Sequence, residues 1–424
     1  MQQDSERVYN NTFRGQHPTD YNACVGNNGF QDTEDYIQGY IDAAKKLLDE
    51  IANKPAHDSN RDTIIYPIAF CIRHSLELCL KGAIESLRNI RDSHELRSFK
   101  LSSTHDIGEL WAFYKEQSEI TDRRYIAINK NLSEYVSDIF EIDPNGQTFR
   151  YPVDLNNQKH LVKTPVINLL LLRERFIELS DLISELGFAN RSLQNEYSKK
   201  TYTKSLSRYD LYCIALSLPN YHLWRTEIFK EIKSEIKTSY SIGSKEFSAA
   251  IDLIKENHEL SSLIGIEKKL TYIEKEDISH YFKQWLPYSQ FNLMDNGFSV
   301  DAMIKHNEIE LEYIEKCLEK ISINGFAELH SLYELGNDHF PIYSEDFESI
   351  LQSSLQDIQL AEREERVHSE IGEYLSKTTL MTTIYRALQI LGQLETCQYL
   401  EAEFRELSDV EPLVLSNNYP YPLG

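Results

Sequence analysis

Three ionisable residues spaced four apart cut through an otherwise apolar stretch. Arg73, Glu77 and Lys81 lie within IIYPIAFCIRHSLELCLKGAIESL, residues 64–87, and His74 sits beside the first of them. Ile65, Ile68, Ile72, Leu76, Leu80, Ala83 and Leu87 recur at three- and four-residue intervals, the spacing of one buried helix face. The four-residue step places Arg73, Glu77 and Lys81 in a second row along the same helix. Charges in such surroundings are costly to bury unless paired. Two readings follow: a self-satisfied Arg–Glu–Lys ladder, or a polar site at a helix interface.

Three further polar residues occupy apolar surroundings. His105 and Asp106 open the next helical pattern, and Arg150 stands between Phe149 and Tyr151. Arginine offers permanent positive charge to phosphate, and histidine moves protons near neutral pH. Together they suit metal-free cleavage of an RNA phosphodiester. The 2′-hydroxyl would attack, Arg73, His74 and His105 would supply charge and proton transfer, and Glu77, Lys81, Asp106 and Arg150 would bind and orient. In the structural reading Arg73–Glu77 is an internal ion pair, His105-Asp106 belongs to a helix's first turn, and Arg150 pins a hairpin.

Several other chemistries lack their motifs. No Gly-x-x-x-x-Gly-Lys loop, dinucleotide fingerprint, Gly-x-Ser-x-Gly elbow, His-Glu-x-x-His or Cys/His metal spacing occurs, so neither a cofactor nor a metal is expected. A formal charge of −23 argues against broad nucleic-acid binding, leaving room for a local basic pocket near residues 81–100. The six cysteines form no Cys-x-x-Cys pair and read as reduced thiols. The first residues have no signal-peptide layout, and no run reaches about 18 apolar residues. A cytoplasmic location without membrane contact is expected.

Helical periodicity predicts an all-α protein. A polar arm covers 1–31, a helical domain 32–190, and a second, irregular α-helical domain 205–424. In the first domain, helices are predicted from Asp32 or Thr33 to Asn53, over the signature stretch, from an N-cap at Thr104, over 125–140, and from Thr164-Pro165 to a cap at Gly187. The turn sequence Asp143-Pro144-Asn145-Gly146 predicts a small β-hairpin near 139–152. Beyond the polar stretch 190–207, helices are predicted over 208–218, 222–238, 244–257, 266–286, 298–321, 325–335, 344–375 and 377–406.

At these residues the N-terminal half resembles the HEPN superfamily of small all-α domains, found in prokaryotic defence and toxin proteins. The resemblance rests on YIQGYIDAAKKLLDEI, IAFCIRHSLELCLKGAI and THDIGELW, and covers about residues 33–187. It implies a helical bundle that dimerises and, in active members, a metal-independent ribonuclease with an arginine and a histidine four to six residues apart. Arg88 and His94 meet that spacing, as do Arg363 and His368, although the family places its motif on a later helix than Arg88. The expectation is a prokaryotic antiviral defence protein whose HEPN-like domain acts on or binds RNA or nucleotides. The alternative is a non-enzymatic helical dimerisation or interaction protein, the partner or sensor subunit of a defence complex. A homodimer is expected through the apolar helices at 64–87 and 165–186.

Overall fold

The computed structural model describes residues 10–410, apart from 27, 30, 54–59, 91–97, 155, 293–299 and 338–341. Two compact units divide at Arg191 and Ser192. Among the described residues all regular structure is helical, as the periodicity predicts.

The N-terminal unit is built on α1 (Thr33–Ala52), α2 (Arg61–Ile90), α3 (Ile107–Thr121), α4 (Tyr125–Ile142) and most of α5 (Leu169–Ser198). Asp32 caps α1 through a reciprocal exchange with Asp35. Asp106, not Thr104, caps α3, its carboxylate accepting from the Glu109 amide at 3.0 Å. α1 packs along α2 through Ile41, Ala44, Leu48 and Ile51. α2 is the described helix long and apolar enough to cross a bilayer, but 56 % of that stretch is buried inside the protein, as in a core helix.

The expected hairpin is a turn instead. The helical pattern carries α4 through to Ile142, and the Asp143–Gly146 turn ends it. Asp143 Oδ1 takes the Thr148 amide at 3.1 Å, and Thr148 Oγ1 donates to the Ile142 carbonyl at 3.0 Å. The side chain thereby occupies groups that a strand ladder would need. The pairing among the described residues is one isolated antiparallel bridge, Val153 to Lys159. α5 also departs from expectation. It starts after Asn168, whose side chain accepts from Leu170 and Leu171, and runs through Gly187 to Ser198. The polar stretch after 190 is therefore partly helix.

The second unit contains α6 (Arg208–Ser217), α7 (Glu227–Ser239), α8 (Ser244–Glu256), α9 (His258–Leu263), α10 (Lys275–Asn292) and α11 (Val300–Leu318). It continues with α12 (Ile323–Asn337), α13 (Asp346–Arg363), α14 (Val367–Leu375), α15 (Leu380–Ile390) and α16 (Leu394–Glu403). α12 is buried without a break from Gly325 to Tyr333. Its Glu328 carboxylate accepts the amides of Thr271, Tyr272 and Ile273 at 2.7, 2.7 and 3.0 Å. Those amides would otherwise enter the helix expected from 266, which is why it begins only at Lys275. The long helices expected over 344–375 and 377–406 each break in two, where Glu365 and Gly392 adopt positive φ of 56° and 63°. Buried Arg208 is held by Glu259 and Glu345, each at 2.7 Å, and lies over Tyr343.

His330 of α12 is buried, stacked on Tyr374 with 3.7 Å between ring centres, and its Nε2 has no hydrogen-bond partner. Burial pushes its pKa down from 6.5 to about 3. The unfolded chain therefore binds the proton more readily. This contribution is complete above the unfolded value and is lost as pH falls toward the folded one. Urea unfolding should show the second unit weakened by about 3 kcal/mol at pH 4 relative to pH 7 through this residue alone. His330→Phe should flatten that acid limb; an unchanged limb would contradict it.

Candidate functional site

The ladder residues meet at Glu77. Arg73 and Glu77 are each only 4 % exposed, although both lie one helical turn apart on an otherwise apolar helix. Arg73 Nη1 donates to Glu77 Oε2. Its Nε donates to the Asp143 carbonyl at 3.3 Å, and its Nη2 to the carbonyls of His105 and Pro144, the latter at 3.1 Å. The guanidinium thus ties α2 to both the turn after α4 and the entry to α3. Gly146 fits against it: its φ is +78°, and a Cβ there would lie 3.1 Å from the guanidinium carbon.

Glu77 takes the remaining partners. Lys81 Nζ lies 2.8 Å and His105 Nδ1 2.9 Å from Oε1, and His74 Nδ1 lies 3.8 Å from Oε2. Burial raises the carboxyl's pKa, but the hydrogen bonds from His74, Lys81 and His105 and the charge of Arg73 outweigh it and hold the group well below the usual carboxylate range. His74 is fixed on its other sides by rings. It stacks on Phe70 at 5.3 Å and meets the edge of Tyr40 at 4.6 Å. His74, expected to be free for chemistry, is packed into the node. His105 is 62 % exposed, with its Nδ1 on the carboxylate.

The other expected residues do not join this node. Asp106 is the α3 cap, so its carboxylate serves the helix end rather than a ligand. Arg150 turns to its neighbour, 3.2 Å from the Tyr151 hydroxyl and over its ring. Arg88 donates to the Phe99 carbonyl at 3.4 Å, while His94 lies outside the described residues. Arg363 and His368 fall on α13 and α14, either side of the break at Glu365, and His368 faces Glu315 at 2.8 Å.

Residues 99–105 run back along α2, from Arg88 at one end to Glu77 at the other. Between them lies a cleft of about 550 Å³ whose lining includes Lys81, Glu85, Arg88, Lys100, Ser102 and Ser103. Lys81 and Arg88 stand about 10 Å apart along the helix axis. The serines and Lys100 carried no periodic signal, and only the fold sets them beside α2. Among the described residues no group of His, Cys, Asp or Glu side chains is placed to hold a metal ion.

No protein-family model, curated protein or solved structure matches the chain. Arg73 has its fixed charge directed at one carboxylate and three backbone carbonyls, so engaging a phosphate would require it to abandon partners that close the fold.

Proposed function

We propose that this protein is a non-enzymatic helical interaction protein, with a HEPN-like N-terminal unit whose polar node holds the fold together. Its setting, on the resemblance of residues 33–187, is a prokaryotic antiviral defence complex in which it serves as partner or sensor subunit. The observation that carries this reading is the closure of the node: Arg73 and Glu77 are buried, and Arg73 is committed to Glu77 and to the carbonyls of His105, Asp143 and Pro144. A catalytic arginine needs donors free to follow charge as it develops on phosphorus.

One observation favours the second reading, action on RNA or nucleotides. Exposed His105 is oriented by Glu77 beside the cleft that holds Lys81, Arg88 and Lys100. Incubation of purified protein with total RNA in chelator-containing buffer separates the two. The expected result is intact RNA with wild type and with His105→Ala alike. Metal-independent cleavage by wild type, lost in His105→Ala at an unchanged melting temperature, would establish the second reading in place of the first.

A further inference from the structure

The N-terminal unit leaves an apolar trough open. α2 supplies its floor with Ile72, α4 one wall with Ile139 and Ile142, and α5 the other with Leu171 and Phe176, enclosing about 410 Å³. A second cavity of about 690 Å³ continues it and shares Ile65, Phe149, Thr164, Val166, Ile167 and Asn168. Val166 and Leu171 on its lip are 83 % and 59 % exposed. Contiguous exposed apolar surface of this kind marks a binding face.

The rim carries more negative than positive charge on its Arg175 side. Arg175, lying over Tyr135 at 4.1 Å, is met by Glu134 at 2.7 Å, Glu178 at 3.3 Å and Asp138 at 3.6 Å. One guanidinium faces three carboxylates, and these are 71 %, 57 % and 65 % exposed. The surplus is negative, and it borders the α4 wall.

We propose that this trough is the docking site of an amphipathic helix from a protein partner, apolar on one face and flanked by lysine or arginine. The inference rests on the interaction reading above and adds the partner's chemistry. Helical walls presenting side chains every third and fourth residue accept the ridges of another helix. Basic flanks would meet the Glu134, Asp138 and Glu178 surplus. A second copy fits poorly, because a two-fold contact through this face sets the same acidic rim against itself.

The test uses the full chain and two labelled peptides of about four helical turns, leucine on one face and either lysine or glutamate on the other. Fluorescence anisotropy should show the lysine peptide binding at least about tenfold more tightly than the glutamate peptide, with affinity falling as salt rises. Leu171→Asp, at an exposed position, should abolish binding. The double variant Glu134→Lys/Asp138→Lys should reverse the preference. Equal binding of both peptides, no binding of either, or binding indifferent to Leu171→Asp would overturn the proposal. Light scattering distinguishes the failures. A wild-type dimer that Leu171→Asp makes monomeric assigns the trough to a second copy and leaves the interaction reading standing. Metal-independent RNA cleavage dependent on His105 would remove that reading itself.

Discussion

Replacing Arg73 with alanine is expected to destabilise the N-terminal unit by about 3–5 kcal/mol. Two costs combine. Glu77 would keep Lys81, His74 and His105 but lose the buried guanidinium that faces it within the core. The carbonyls of Asp143, Pro144 and His105 would lose a shared donor; Pro144 keeps the Ile107 amide at 2.9 Å, while the other two lose their partner, at about 1–3 kcal/mol each where water cannot reach them. Hydrogen exchange of the full chain should show faster opening over α2 and the turn after α4. Protection equal to wild type in both segments would mean that the guanidinium is not a structural tie. The same logic limits rescue. Removing the stranded charge as well, with Glu77→Leu, should restore part of the loss but not the part owed to the Asp143 and His105 carbonyls.

Gly336→Ala should be the most damaging single-methyl addition in the second unit, at about 3 kcal/mol, the upper end of the usual overpacking cost. The added carbon would lie 2.0 Å from the Thr383 carbonyl oxygen and 3.2 Å from the Ala387 nitrogen, both backbone atoms of α15. No side chain can swing away, so α15 itself must shift against a largely buried helix. Gly39→Ala in α1 is the control, with nothing within 4 Å of the new carbon. It should gain about 0.5–1 kcal/mol from helix propensity. Urea unfolding followed separately for the two units reads both, and a Gly336→Ala chain as stable as wild type would contradict the close approach of α12 and α15.

How far the molecule could be read in advance follows from which forces are local. The buried faces of α1 and α2 repeat every three or four residues and were visible in Ile41, Ala44, Leu48 and in Ile68, Ile72, Leu76. The Arg73–Glu77–Lys81 row is likewise a property of one helix, and it survives as an ion-pair ladder. What periodicity cannot carry is a partner distant in the chain. Asp143-Pro144-Asn145-Gly146 has hairpin chemistry, yet its carbonyls receive Arg73 from 70 and 71 residues away. The stretch before Lys275 has a helical pattern, yet Glu328 takes its amides from 55 to 57 residues away. Gly187 looked like a helix end, but a glycine stops a helix only where the backbone turns left-handed, and here it stays helical. For the same reason Arg150 was drawn toward the node by its aromatic neighbours, while the fold leaves it paired with Tyr151. His74 was assigned to proton transfer because one of the rings that pack it, Tyr40, lies on another helix and leaves no local signal.

Buried and paired, Arg73 and Glu77 should behave as one structural unit. A double-mutant cycle tests it most directly, comparing wild type, Arg73→Met, Glu77→Leu and the double variant by the opening free energy of α2 amides under native-state hydrogen exchange. The double variant should cost less than the two single changes added together, with a coupling of about 2–3 kcal/mol. Single changes that add to within about 0.5 kcal/mol in the double variant would contradict it.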